Sequence, residues 1–223
     1  MNSETESDNT VGEYVQQAYV QNANEYLSYR TTSESDHPEN MFQENVSQAL
    51  QGIRCGAVEV LDLGCGFGGG LPNDILFNSY VGVDISDRLL KEHRWRVRPE
   101  ARLLEMDLRN FKVPIDVRYN LVLAVLTLNY IRDIRKLLDE IRRPYAWFFI
   151  GIPNADFDVK HGSNNTDNIV ELSFNDRNFF YYRHELNDVI EALQPVFELK
   201  LSYSSIYREY EEPPYYQIFG QWR

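Results

Sequence analysis

The chain has 223 residues, of which 43% are hydrophobic and 25% charged, values that suit one globular domain of ordinary to large size. A formal net charge of −12 argues against a nucleic-acid partner, because phosphate binding needs a basic face and only Lys91–Arg98 and Arg132–Arg143 are locally positive. No apolar run approaches the roughly 18 residues of a membrane span, and the polar start MNSETESDNT lacks a signal-peptide pattern, so a cytoplasmic protein without membrane contact is expected.

Residues 1–10 read as a disordered tail. Val11–Tyr29 sets Val11, Val15, Ala18, Tyr19, Asn22, Tyr26 and Tyr29 at helical spacing, so one or two tyrosine-rich helices are expected there. Thr31–Asn40 is a polar loop, and Pro38 suits the first turn of a helix over Met41–Ile53. Residues 11–56 thus form a helical N-terminal unit, and residues 57–223 a second one. In the second, short apolar runs alternate with amphipathic segments. Strands are predicted at Val58–Leu63, Tyr80–Asp84, Ala101–Met106, Tyr119–Thr127 and Ala146–Ile152. Helices are predicted from Gly68–Phe77, over Asp87–Val97, and over Ile131–Ile141, where Ile131, Ile134, Leu137, Leu138 and Ile141 share one side. This alternation implies a parallel sheet covered on both faces.

Pro153–Asn178 is long and polar, with a low-complexity centre at His161–Asn168, and reads as a lid or a disordered insertion. A helix over Arg183–Leu193 follows. Phe197–Tyr207 and Tyr215–Trp222 then read as a hairpin, which makes the last strand antiparallel. Cys55 and Cys65 form no CxxC pair, so free thiols and no metal site are expected.

The chemistry concentrates after the first strand. Gly64, Gly66 and Gly68 allow a sharp turn and a close approach of backbone to a ligand. Asp62, just before them, can meet a cationic amino group. Asp84 ends the next strand, about twenty residues on, where a carboxylate can accept both hydroxyls of a ribose. Gly64, Gly66 and Gly69 also satisfy the dinucleotide pattern G-x-G-x-x-G. Against a dinucleotide stand Asp62, which would repel a pyrophosphate, the helical segment ahead of the loop, and Asp107, placed to meet an adenine amino group.

These residues carry a family resemblance. VLDLGCGFGGG, VGVDIS and LLEMDLRNF resemble the first three motifs of the class I S-adenosylmethionine (SAM)-dependent methyltransferases of small-molecule type. YNLVLAVLTLNYIRDIRKLLDEI resembles their fourth strand and helix, and PPYYQIFGQWR their antiparallel seventh strand. The resemblance implies an α/β, Rossmann-like sheet of seven strands, mostly parallel with an antiparallel last strand, and helices on both faces. It implies SAM as cofactor and S-adenosylhomocysteine (SAH) as product, with Asp84 and Ile85 at the ribose and Asp107 and Leu108 at the adenine. YVQNANEYLSYR resembles the family's N-terminal helix, which makes residues 11–56 a cap in which Tyr19 and Tyr26 cover the cofactor.

An acceptor pocket is expected above the carboxyl ends of the strands, with a lid near 153–182. Asn129 stands where related members often carry His, and His184 is the leading candidate for a base; these two are the candidate catalytic residues. Tyr130, Asn154, Tyr182 and Arg183 are candidates for acceptor binding. His37 and His93 read as a loop residue and a surface-helix residue. The (Asp/Asn/Ser)-Pro-Pro-(Tyr/Phe) motif of base-modifying relatives is missing after the fourth strand. The expected activity is methyl transfer to O or N of a small molecule, by a monomer or homodimer. The alternatives are a SAM-binding protein without catalysis and a nicotinamide-dependent oxidoreductase.

Overall fold

The computed structural model describes residues 10–25, 42–43, 46–47, 50, 58–72, 75–160, 164–166, 168–174, 177–202 and 215–223. Its strands are β1 (Glu59–Leu63), β2 (Ser79–Asp84), β3 (Ala101–Glu105), β4 (Leu121–Val125), β5 (Trp147–Pro153), β6 (Asn164–Thr166), β7 (Ile169–Phe174), β8 (Arg177–Tyr182), β9 (Val196–Ser202) and β10 (Tyr215–Trp222). Its helices are α1 (Asp87–Lys91), α2 (Ile134–Ile141), α3 (Ala155–Lys160) and α4 (Leu186–Leu193), preceded by helical residues 10–25, which contain a π-helical stretch at Gln16–Gln21.

The main sheet has seven strands in the order β3-β2-β1-β4-β5-β10-β9. The first five are parallel, and β10 runs antiparallel between β5 and β9. Strand order reverses beside β1, so the loops after β1 and β4 leave the carboxyl edge in opposite directions, at the usual ligand site of such sheets.

Alternation along the strands builds two cores. Leu61, Leu63, Val122, Ala124, Phe148 and Ile150 face one side, under Leu137, Leu138 and Ile141 of α2 and Val189, Ala192 and Leu193 of α4. Val60, Leu121, Leu123 and Phe149 face the other, against Phe42, Val46, Leu71, Phe77 and Trp95. α2 forms because its apolar residues recur at helical spacing and Asp133 caps it, accepting from the Lys136 N–H at 3.1 Å. The C-terminal strand is locked by Trp222, whose ring lies 4.7 Å from Phe148 and whose Nε1 donates to the Leu193 carbonyl at 3.0 Å.

Three sequence expectations change. The helix expected from Gly68–Phe77 does not form among the described residues, which make turns and irregular backbone instead. Gly68, Gly69 and Gly70 each disfavour a helix by about 1 kcal/mol, and Pro72 adds a break. The helix over Asp87–Val97 stops at Lys91; Ser86 caps it, and the chain then turns inward so that His93 and Trp95 are buried. The segment Pro153–Asn178, expected as a lid or a disordered insertion, carries regular structure among the described residues. It contains α3 and, with β8, a second antiparallel sheet in the order β6-β7-β8. The Tyr181 hydroxyl donates to Asp158 of α3 and ties this sheet to the helix.

Candidate cofactor and acceptor site

β1 leaves the sheet at Gly64, whose φ of +64° and crowding make glycine necessary: an added Cβ would overlap the Thr127 side chain, 2.7 Å from its Cγ2. Gly66 has φ +52°, yet among the described residues a Cβ there would meet no atom within 4 Å. The backbone therefore passes an open volume at Gly66, the clearance that a closely held ligand needs.

Asp84 ties this loop to the end of β2. Its Oδ2 accepts from the Gly66 N–H at 2.8 Å and its Oδ1 from the Ser86 N–H at 2.9 Å. The lone pairs these N–H groups leave can accept from the hydroxyls of a diol. Burial raises the Asp84 carboxyl above its ordinary value, opposed by the N–H groups of Ser86, Gly66 and Ile85. Ile85 thus takes part through its backbone.

Asp62 is buried on the same edge, and its Oδ2 accepts from the Tyr80 hydroxyl at 2.6 Å. Asp107 caps a short turn at Leu108–Asn110 and pairs with Arg109, whose Nη2 lies 2.5 Å from Oδ2. Burial works to raise the Asp107 carboxyl, but the Arg109 side chain and backbone together hold it below the ordinary value. Leu108 is buried. No group of His, Cys, Asp and Glu suited to a metal ion occurs among the described residues. Cys65 is a buried free thiol; Cys55, Tyr26, His37 and His161 lie outside the described residues.

The N-terminal helical residues cross this edge. Asn24 accepts from Arg88 Nε at 2.7 Å, and Gly12 lies against Arg109. The Tyr19 hydroxyl is 2.7 Å from that of Tyr130, and Tyr14 packs against Tyr19, Tyr130, Phe179 and Phe180. Tyr130 belongs to a 3-10 turn, Leu128–Tyr130, that follows β4. The chain enters this turn through Leu126 at φ +53°, a strained conformation of the kind found at functional sites. Burial raises the Tyr130 hydroxyl, countered by hydrogen bonds from Tyr19, Asn129 and Tyr14. Asn129 is only 3% exposed, and its Oδ1 has no hydrogen-bond partner. A buried carbonyl left so costs about 1–3 kcal/mol.

The other candidates are held by the fold itself. His184 Nε2 lies 2.9 Å from the Ile131 carbonyl and 3.2 Å from that of Leu128, so it carries the proton and donates. Burial lowers the His184 pKa, countered by those carbonyls. Arg183 is divided between Glu185 and Asp156, both at 2.6 Å. Asn154 is buried, and its Oδ1 accepts from the N–H groups of Asp156 and Phe157 at the start of α3. Tyr182 packs with Val11 and Ile169 beneath Tyr130 and Phe180.

Sequence reasoning missed two groups. Tyr14 was readable as part of the tyrosine-rich helix but stood off its apolar stripe. His93 was expected on a helix surface; it is 3% exposed, with Nε2 3.0 Å from the Tyr80 hydroxyl. The charged run KEHRWRVR around it mimics a solvated face.

Residues 60–145 match the family model described as a methyltransferase domain. A search of curated proteins finds no match. Among solved structures, the chain resembles a SAM-dependent methyltransferase from Clostridium acetobutylicum ATCC 824, with 14% identity and a TM-score of 0.65 over 90% of this chain and 98% of that one. It resembles the magnesium protoporphyrin IX methyltransferase of Synechocystis PCC 6803, solved with SAH, at 13% identity and a TM-score of 0.61 over 97% and 100% of the two chains. It also resembles a SAM-dependent methyltransferase from Mesorhizobium loti, at 15% identity and a TM-score of 0.57 over 78% and 96%. Identities this low speak for the fold. The chain thus carries a methyltransferase-domain match over residues 60–145 and shares the fold of SAM-dependent methyltransferases.

Proposed function

We propose that the chain transfers the methyl group of SAM to an oxygen or nitrogen atom of a small-molecule acceptor. The carrying observation is the loop at Gly66, whose open Cβ position lies beside a carboxylate already fixed by two backbone N–H groups. In this reading Asp84 and the Ile85 backbone hold the ribose, Asp62 meets the α-ammonium group, and Asp107 and Leu108 border the adenine. Gly64 and Gly68 shape the loop, and Tyr19 with residues 10–25 closes over it.

Bound SAM supplies a methyl group on an activated sulfonium leaving group, for which no metal is needed. The protein's task is to align the acceptor and exclude water. Tyr14, Tyr130, Phe179 and Phe180 supply an aromatic wall suited to a small, partly apolar acceptor. Asn129 Oδ1 offers the acceptor's N–H or O–H a buried hydrogen bond, which gives Asn129 the direct contact. His184, with Nε2 donating to two carbonyls, holds the Leu128–Tyr130 turn in place and is not assigned as the base. Arg183, Asn154 and Tyr182 shape the pocket through α3 and β8. The Synechocystis relative, a magnesium protoporphyrin IX methyltransferase, supports a small-molecule acceptor. No described helix is long and apolar enough to cross a membrane. A cytoplasmic protein acting as monomer or homodimer, without nucleic acid, completes the reading.

Incubation of a metabolite extract with the protein and methyl-labelled SAM, read by mass spectrometry, tests it. A labelled small molecule that disappears with Asn129→Ala is expected. Tight SAM binding with no labelled product from any fraction would favour a non-catalytic SAM-binding role instead.

A further inference from the structure

Behind the cofactor loop a buried chain of hydrogen bonds ends on Asp62, and the proposed function gives no role to its other members. The Trp95 backbone N–H is 3.2 Å from His93 Nδ1. A backbone N–H can only donate, so Nδ1 is the acceptor and the proton of the neutral ring sits on Nε2. Nε2 then donates to the Tyr80 hydroxyl at 3.0 Å, and that hydroxyl donates to Asp62 Oδ2 at 2.6 Å. Every link has one donor and one acceptor, so the chain runs in a single direction from Trp95 to Asp62. Burial lowers the His93 pKa to about 4, which keeps the ring neutral near pH 7.

His93 also touches the loop directly. A Cβ at Gly68 would lie 3.0 Å from His93 Cε1 and 3.1 Å from Nε2, and the Arg94 N–H donates to the Phe67 carbonyl at 3.1 Å. The turn after α1 therefore braces the loop at Phe67–Gly68 and, through Tyr80, the carboxylate that precedes it. Tyr80 pairs with Val60 in the sheet, so its long ring is what brings a hydroxyl to Asp62.

We propose that His93 is a positioning residue for the cofactor, acting through Tyr80 to orient Asp62 toward the α-ammonium group of SAM. This rests on the reading of SAM as cofactor. It divides the ligand in two: the adenosine half is held by Asp84 and Asp107, neither of which is in the His93 chain, whereas the amino-acid half depends on it.

Calorimetry with SAM and with 5′-methylthioadenosine, which keeps the adenosine and sulfur but lacks the amino acid, separates the two. His93→Phe is expected to weaken SAM about tenfold, the worth of one hydrogen bond to a charged group, and to leave methylthioadenosine within about twofold of the wild-type value. His93→Gln returns an N–H donor toward Tyr80 and should recover most of the loss. Tyr80→Phe, which breaks the link at Asp62 and keeps the ring, should reproduce the selective loss even where His93→Phe folds poorly. Equal weakening of both ligands, no weakening of either, or a Gln variant no better than Phe would overturn the inference. Wild-type protein that binds neither ligand would instead remove the cofactor reading on which it rests.

Discussion

Gly66→Ala separates the requirements of folding from those of the ligand. Alanine at φ +52° carries a left-handed penalty of about 1–2 kcal/mol. No atom of the described residues lies within 4 Å of the new methyl, so no clash with them adds to this penalty. For a chain of this size each kcal/mol lowers Tm by about 2–4 °C, so a fall of about 2–8 °C is expected. The methyl would project into the clearance assigned to SAM, and SAM affinity should fall at least about tenfold in calorimetry, since overlap with a tightly held ligand costs more than about 1.4 kcal/mol. Gly64→Ala is the control, because its methyl overlaps Thr127 and should cost stability well beyond the φ penalty. A folded Gly66→Ala protein that binds SAM with wild-type affinity would refute the placement of the ligand against this loop.

Asp84→Asn puts an amide N–H₂ opposite one of the two backbone donors it now accepts from; calorimetry should show SAM at least about tenfold weaker, with a stability loss of about 1–3 kcal/mol. His93 gives an acid dependence. Its folded pKa of about 4 lies below the ordinary 6.5, so as pH falls through 6.5 the unfolded chain takes up the proton first. Stability drains between pH 6.5 and about 4, by about 3 kcal/mol in total at 1.36 kcal/mol per pH unit. Denaturant melts across that range should show this loss in the wild type and a smaller one in His93→Gln, with His184 contributing alike to both. Trp222→Ala removes a fully buried ring and a hydrogen bond to Leu193; a loss of about 3–5 kcal/mol in denaturant melts is expected, with SAM affinity of the folded protein unchanged.

The central strands were readable because they are short apolar runs buried on both faces, as in Leu121–Val125 and Trp147–Pro153. The antiparallel last strand followed from hairpin logic and stands as β10 against β5 and β9. Gly68–Phe77 sits where this architecture invites a helix, but three glycines and Pro72 outweigh that expectation. The second sheet was hidden by the polar run His161–Asn168, although IVELSF and RNFFYY flank Asn175-Asp176, a hairpin signal that the length of the segment obscured. In the proposed site, Gly64 and Gly66 were legible because their positive φ favours glycine, and Asp84 through its spacing from the loop. His93 and Tyr80 were not, since their meeting depends on a turn after α1 that charge patterning does not encode. His184 was legible as a residue of interest but not in its use, because the carbonyls of Leu128 and Ile131 come to it from distant sequence.

Titration of the wild-type protein with SAM, SAH and NADH tests the central claim most directly. Saturable one-site binding of SAM and SAH, abolished or strongly weakened in Gly66→Ala and Asp84→Asn, with no response to NADH, is the predicted result. Binding of NADH, or the absence of binding by both SAM and SAH, would contradict it.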